Sequence, residues 1–157
     1  MLMEQILSEV RNYDGILELA PSPESDYPEI SWGDHFFYYA PDGQVPLNRQ
    51  PFATIVTKNY PEDAASRLDE AGRWRLNIQV GSSIFTELLG YTPKGVNTIE
   101  VDYSAEDVVH PHPLYGTSGW VCIVNPGPLT RDQALEALRV AHMDDRRRVE
   151  RRQNRNS

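Results

Sequence analysis

The sequence predicts an α+β protein: a single antiparallel sheet with N- and C-terminal helices and one short inserted helix packed on it, a two-layer sandwich. Three observations predict it. Apolar residues recur at helical spacing only at the two ends of the chain and in one short central stretch. Between these lie β-branched and aromatic runs bounded by Pro, Gly and Asn. The helical stretches do not alternate with the strands as a doubly wound parallel sheet requires.

The elements follow in order. Leu2, Ile6, Val10 and Tyr13 share one helical face, so residues 2–13 read as an amphipathic helix, stopped by Asp14-Gly15. "LAPSPESDYPE" (19–29) has three prolines and reads as a loop. "SWGDHFFYY" (31–39) reads as an aromatic strand, "APDG" (40–43) as a turn, "VPLNRQP" (45–51) as an irregular connection and "FATIVT" (52–57) as a strand. "WRLNIQV" (74–80) alternates cleanly: Trp74, Leu76, Ile78 and Val80 form a buried face, while Arg75, Asn77 and Gln79 face water or a polar groove. "GSS" (81–83) offers an N-cap and an anion-binding helix start, Ile84 to Leu89 a short helix, and Gly90 its stop. "NTIEVDY" (97–103) reads as a strand or an extended loop. "WVCIV" (120–124) is continuously apolar, as a central strand would be, and "NPGP" breaks it. Thr130 with Gln133 forms a capping box for a last amphipathic helix running to about residue 150. No repeat divides the chain, so residues 1–145 form one domain and residues 146–157 an Arg-rich tail, a frayed helix end or disordered.

A chain of 157 residues buries enough surface to fold without disulfides or structural metal. The single cysteine, Cys122, suits a reducing compartment. Glu4 and Glu9 break up the N-terminal apolar pattern, so it is not a signal peptide, and no run approaches a membrane span. A cytoplasmic protein is expected. The formal net charge is −8, yet the last twelve residues hold six arginines and one acid, so the preceding 145 residues carry −13. Such a body repels phosphate backbones, and nucleic acid contact is expected only through the tail, if anywhere.

"VVHPHPLYG" (108–116) carries His110 and His112. Prolines on both sides of His112 impose a polyproline-like path, along which i and i+2 side chains diverge. A shared metal would need a distorted backbone and a third ligand from His35, Asp34 or Asp102, none at diagnostic spacing. The favoured reading is a rigid structural corner; a metal pair (His110, His112, with His35) or a ligand contact stays open. The ligand-binding candidates are His35, His112, Tyr115 and Asn77. Cys122 reads as a buried, inert thiol and His142 as an edge-of-core residue. No P-loop, Gly-x-Gly-x-x-Gly or Gly-x-Ser-x-Gly pattern is present.

Pro111-His112-Pro113, Tyr115-Gly116, Trp120-Val121 and Asn125-Pro126 resemble a bacterial family of domains of unknown function with a Pro-His-Pro-x-Tyr-Gly segment followed by Trp-Val and Asn-Pro; the resemblance runs from about residue 36 to 142. More distantly, "GWV" before a C-terminal amphipathic helix is similar to the MmcQ/YjbR-like fold. That likeness implies a small α-β sandwich with DNA-binding associations that the acidic body does not fit. The residues together point to a non-catalytic binding or interaction module for a small molecule or protein, needing no cofactor. The alternative is a small metal-assisted enzyme using the His110/His112 corner. The clustered aromatics Trp32 and Phe36 to Tyr39 read as core plus sheet surface, or as a pocket wall or subunit interface if their outer face is open, and large aromatics including Trp32, Trp74 and Trp120, on a sheet that helices cover on one side, predict a homodimer or other closed oligomer.

Overall fold

The computed structural model describes residues 3–155. Helix α1 (Met3–Arg11) leads into strand β1 (Ile16–Leu19), followed by β2 (His35–Tyr39), β3 (Ala53–Val56) and β4 (Arg75–Gln79). Helix α2 (Gly81–Leu89), β5 (Val109–Pro111), β6 (Trp120–Val124) and α3 (Arg131–Arg155) complete the chain. The six strands form one sheet in the order β1-β2-β3-β4-β6-β5, every neighbour antiparallel. This is the α+β sandwich that the sequence predicts. Among the described residues, no helix is long and apolar enough to cross a membrane.

Strand alternation sorts the side chains between two faces. Phe37, Ile55, Leu76, Ile78, Val121 and Ile123 point to one side, where Ile6, Leu7 and Val10 of α1, Phe85 of α2, and Ala134, Leu138 and Ala141 of α3 close over them. Each large apolar side chain fully withdrawn here contributes about 1.5–3 kcal/mol. β6 is buried along its whole length because β4 and β5 flank it and both of its faces are covered. His142 lies under this layer, its Nε2 2.7 Å from the Asp14 carbonyl, with the rings of Tyr13, Tyr39 and Phe52 around it. It is a packed core histidine.

Several local expectations change. Leu2 lies outside the described residues, as do residues 156–157. Residues 16–19, for which the sequence suggests no strand and whose Leu19 it places in the loop, form the edge strand β1, held by full pairing of Ile16–Leu19 with Phe36–Tyr39. The strand expected over 31–39 begins only at His35, because residues 29–31 form a single 3-10 turn. Residues 97–103 form no strand. The expected "GSS" cap is absent: α2 starts at Gly81 without a side-chain cap, and the Val80 and Gly81 N–H groups donate to the Gly119 carbonyl instead. Thr130 makes no capping box; its hydroxyl donates to Asp107 Oδ1 at 2.6 Å. Asp107 also accepts the N–H groups of Gly127, Leu129 and Thr130, so a distant carboxylate organises the start of α3. Burial opposes that charge, but these hydrogen bonds outweigh it and hold the Asp107 carboxyl below the usual range. Helix α3 itself continues through the Arg-rich segment to Arg155.

Gly15 is required where it stands. Its φ is +64°, and a Cβ there would collide with the Tyr39 ring. The tight turn it makes lets β1 fold back along β2.

Candidate functional site

The face of the sheet turned away from the helices is not bare. The segment 57–73 covers one end of it, with Leu68 and Tyr60 packed on Val56 and Val124. The rest is a cavity of about 890 Å³. Phe36 and Tyr38 of β2, Thr54 of β3, Arg75, Asn77 and Gln79 of β4, and Trp120 of β6 line it from the sheet. The loop after β5 adds His112, Leu114 and Tyr115, and Tyr60 and Asp63 close it from the covering segment.

Arg75 is the centre of this face and is 1% exposed. Its Nε donates to Asn77 Oδ1 at 2.7 Å, and Asn77 Nδ2 donates to Thr54 Oγ1 at 2.9 Å. Its Nη1 donates to Asp63 Oδ1 at 2.9 Å and to Ser66 Oγ at 3.0 Å; its Nη2 donates to Asp63 Oδ2 at 2.5 Å. Burial favours a neutral Asp63, but the bidentate guanidinium outweighs it and holds the carboxyl below the usual range. Burial likewise opposes the Arg75 charge, and Asp63 restores it. The pair therefore carries two fixed charges that cancel locally. Of the two settings the strand pattern allows for this face, water or a polar groove, the structure shows the groove: Arg75, Asn77 and Gln79 line the cavity, with Arg75 and Asn77 almost fully buried in its floor.

The remaining Nη2–H of Arg75 points at His112 Nε2, 3.2 Å away. The other ring nitrogen, Nδ1, is met by two backbone donors, Leu114 N–H and Tyr115 N–H, each at 3.1 Å. Three donors thus converge on the two nitrogens of one imidazole. A neutral imidazole has a single acceptor nitrogen, and an imidazolium has none. The two backbone donors fix Nδ1 as that acceptor, so Nε2 carries the proton. Burial, reinforced by the Arg75 charge and only partly offset by Asp63, lowers the His112 pKa to about 3, which keeps the ring neutral. With Nε2 protonated, it and Arg75 Nη2 are two donors opposed at 3.2 Å in residues that line the cavity, an opposition that an acceptor entering beside them would relieve. Asp63 Oδ2 is 3.9 Å from Nε2, too far to accept its proton. The pair is complementary to an oxygen acceptor reached from the cavity. Tyr115 packs on His112 in a tilted arrangement at 4.8 Å between ring centroids, and Trp120 meets it edge-on at 6.3 Å, so the ring is held in place.

The residues singled out from sequence divide clearly. His112, Tyr115 and Asn77 line one cavity. His35 does not join them: it shares the helix-covered side of β2 with Phe37, and its Nδ1 lies 2.7 Å from Glu18 Oε2. His110 and His112 do not follow the diverging path expected of them, since residues 109–111 form a true edge strand and His110 pairs with Cys122 on the cavity side of the sheet. The two rings nevertheless serve different neighbours, because His110 Nε2 meets the Ala105 carbonyl at 3.0 Å and packs on Tyr103. A metal on His112 Nε2 would have to lie beside the Arg75 guanidinium. Of the other proposed ligands, Asp34 is fully buried and accepts from Thr57, Lys58 and Tyr60, and Asp102 closes a turn with Ser104. Among the described residues, no three His, Cys, Asp or Glu side chains are grouped to hold a metal ion. Cys122 is fully buried behind Arg75, and burial pushes its thiol up to about 12. Asp63 and Ser66 were missed in the sequence, as they sit in a loop without pattern and reach Arg75 only through the fold.

Fold and site together define a two-layer α+β protein with a polar-floored, aromatic-walled cavity on the helix-free face of its sheet. The chain belongs to the family of unknown function DUF6194, whose model matches residues 1–154. No curated protein and no solved structure matches it.

Proposed function

We propose that the protein is a non-catalytic binding protein whose cavity takes a small molecule with a flat apolar body and a carbonyl-type oxygen. The observation that carries this reading is the contact of His112 Nε2 with Arg75 Nη2, 3.2 Å apart in residues that line the cavity, which the tautomer assigned from the Leu114 and Tyr115 N–H groups makes a pair of donors. An oxygen placed between them would accept both protons. Arg75 and Asp63 cancel each other's charge, which favours a neutral acceptor over a second buried anion. Phe36, Tyr38, Tyr115 and Trp120 supply ring faces and edges for the apolar body.

Binding is favoured over proton-transfer chemistry because His112, Asp63 and the Cys122 thiol buried behind them are each held in one protonation state. A general acid or base works best with a pKa near the working pH. His112 is held far below it, the Cys122 thiol far above it, and Asp63 is ion-paired. The test is titration of labelled protein with neutral aromatic amides (benzamide, 1-naphthamide, indole-3-carboxamide), following amide resonances. Shifts should centre on the Asn77 side chain and on the Leu114 and Tyr115 backbone. His112→Asn, which keeps an acceptor for those backbone groups but lacks the Nε2–H, should bind about tenfold more weakly, the value of one lost hydrogen bond. Amides that shift no cavity resonance, or that bind the variant as well as the wild type, would sink the proposal.

A further inference from the structure

We infer that the ligand of this cavity also carries a phosphate, held by the arginine-rich end of α3, which makes a nucleoside phosphate the class of molecule the whole site fits. The inference rests on the cavity reading above and extends it.

A second hollow of about 380 Å³ opens beside the first, and Gln50 and Gln79 line both. Its other walls are Arg49 from the β2–β3 connection and Arg148, Arg151, Arg152 and Arg155 from α3, around one carboxylate, Asp145. In a chain of net charge −8, five guanidiniums around a single acid is a pronounced local reversal. Asp145 is 2% exposed and already engaged: Arg49 Nη1 reaches it at 2.9 Å, and its Oδ2 accepts the Tyr39 N–H. Arg148 Nη2 lies 3.3 Å from Asp145 and 3.5 Å from Gln79 Oε1, bridging the two hollows. The described residues supply no carboxylate to Arg151, Arg152 or Arg155.

Arginines near a helix C-terminus complement its dipole, and that accounts for their presence in α3. It does not account for Arg49, which comes from a different segment and is fixed at the same hollow by Asp145 and by the Tyr39 carbonyl, which accepts from its Nη2 at 2.7 Å, so that Arg49 contributes its charge while the free guanidinium forks are those of α3. Guanidinium forks suit phosphate oxygens in two-point contacts. A flat ring on the cavity floor, with its acceptor edge on His112 and Arg75, would leave a substituent free to pass Gln79 toward this rim. A base, a sugar as spacer and a phosphate have that order of chemistry.

The experiment is calorimetric titration of the full chain with adenosine, guanosine, cytidine and uridine, with the 5′-monophosphate of each, and with inorganic pyrophosphate alone, at low and moderate salt. At least one nucleotide should bind about tenfold or more tightly than its nucleoside, and the advantage should shrink with salt. The exposed triple variant Arg151→Gln, Arg152→Gln, Arg155→Gln should bring that nucleotide to the affinity of its nucleoside, leaving nucleoside affinity and the circular dichroism spectrum unchanged. Equal affinity of nucleotide and nucleoside, or an unchanged triple variant, overturns the inference, and neutral amides would still report on the cavity reading by itself. Pyrophosphate binding with no further gain from a base overturns it too, by making the rim a separate anion site. Absence of binding by every probe also overturns it.

Discussion

His112 should make the protein acid-sensitive in a way that one substitution removes. In the folded chain its pKa is lowered to about 3 by burial and by Arg75, whereas in the unfolded chain it returns to about 6.5. Above that value both states are neutral and the histidine adds no pH dependence. As pH falls below about 6.5 the unfolded chain takes up a proton that the folded chain refuses, so stability is lost at up to about 1.4 kcal/mol per unit, continuing toward pH 3. By about pH 4.5 the loss from this one residue is about 2–3 kcal/mol. The perturbation is His112→Asn, whose amide oxygen can still accept from Leu114 and Tyr115 but cannot titrate. The assay is urea unfolding of both proteins at about pH 7.5 and about pH 4.5. At the higher pH the variant should be less stable by about 1–2 kcal/mol, from poorer packing against Tyr115 and Trp120. At the lower pH that deficit should vanish or reverse. The carboxylates titrate alike in both proteins and cancel from the difference. A deficit that stays constant or grows on acidification would show that His112 accepts a proton in the folded state, and the tautomer assigned from its two backbone donors would be wrong.

Three further perturbations probe the supports of the site. Arg75→Met strands the Asp63 carboxylate in a buried setting and should cost about 3–5 kcal/mol in denaturant unfolding; a cost below about 1 kcal/mol would mean the ion pair is solvated. Gly15→Ala combines a positive φ with a clash against Tyr39 and should lower stability by more than about 1 kcal/mol, with a correspondingly lower Tm; an unchanged Tm would show that the β1–β2 turn relaxes freely. Asp107→Ala removes the acceptor for three backbone N–H groups and the Thr130 hydroxyl and should cost about 1–3 kcal/mol, with hydrogen exchange quickening at the start of α3; exchange unchanged there would deny it that role.

How much of this was legible in the sequence depends on whether the signal was local. The two-layer architecture was, because helical periodicity in residues 3–11 and 131–141 and alternation in 75–79 are properties of neighbouring residues. The edge strand β1 was not: four residues carry too little pattern, and they are a strand only because β2 pairs with them. Both misread caps fail for the same reason. Gly119 and Asp107 supply what Ser82 and Thr130 were expected to supply, and each comes from far along the chain. The burial of Arg75 was half legible. "WVCIV" is apolar at every position, so both faces of its strand must be covered. Asn77 sits directly opposite Cys122 on that strand, so the polar face of β4 could not be fully wet. What no local pattern announced was the partner, Asp63, delivered by a covering segment without periodicity.

The sequence leaves His112 as either a structural corner or a site, and the geometry divides those roles between its two nitrogens. Nδ1 serves the fold, since it accepts the N–H groups of Leu114 and Tyr115 just after the edge strand ends. Pro111 can occupy that edge because β5 pairs on one side only, and a proline there also blocks a further strand from adding. Nε2 lies at the other end of the ring, against Arg75, and both residues line the cavity. Two substitutions separate the roles. His112→Ala removes both nitrogens, leaves two backbone donors without their acceptor, and should cost about 1–3 kcal/mol in addition to losing affinity for the aromatic amides. His112→Asn restores an acceptor near Nδ1 and should recover much of that stability while remaining weak in binding. If instead the two variants fell together in stability, or if asparagine restored binding along with stability, the two nitrogens would not act separately, and the donor pair at the cavity wall would lose its claim to be the binding determinant.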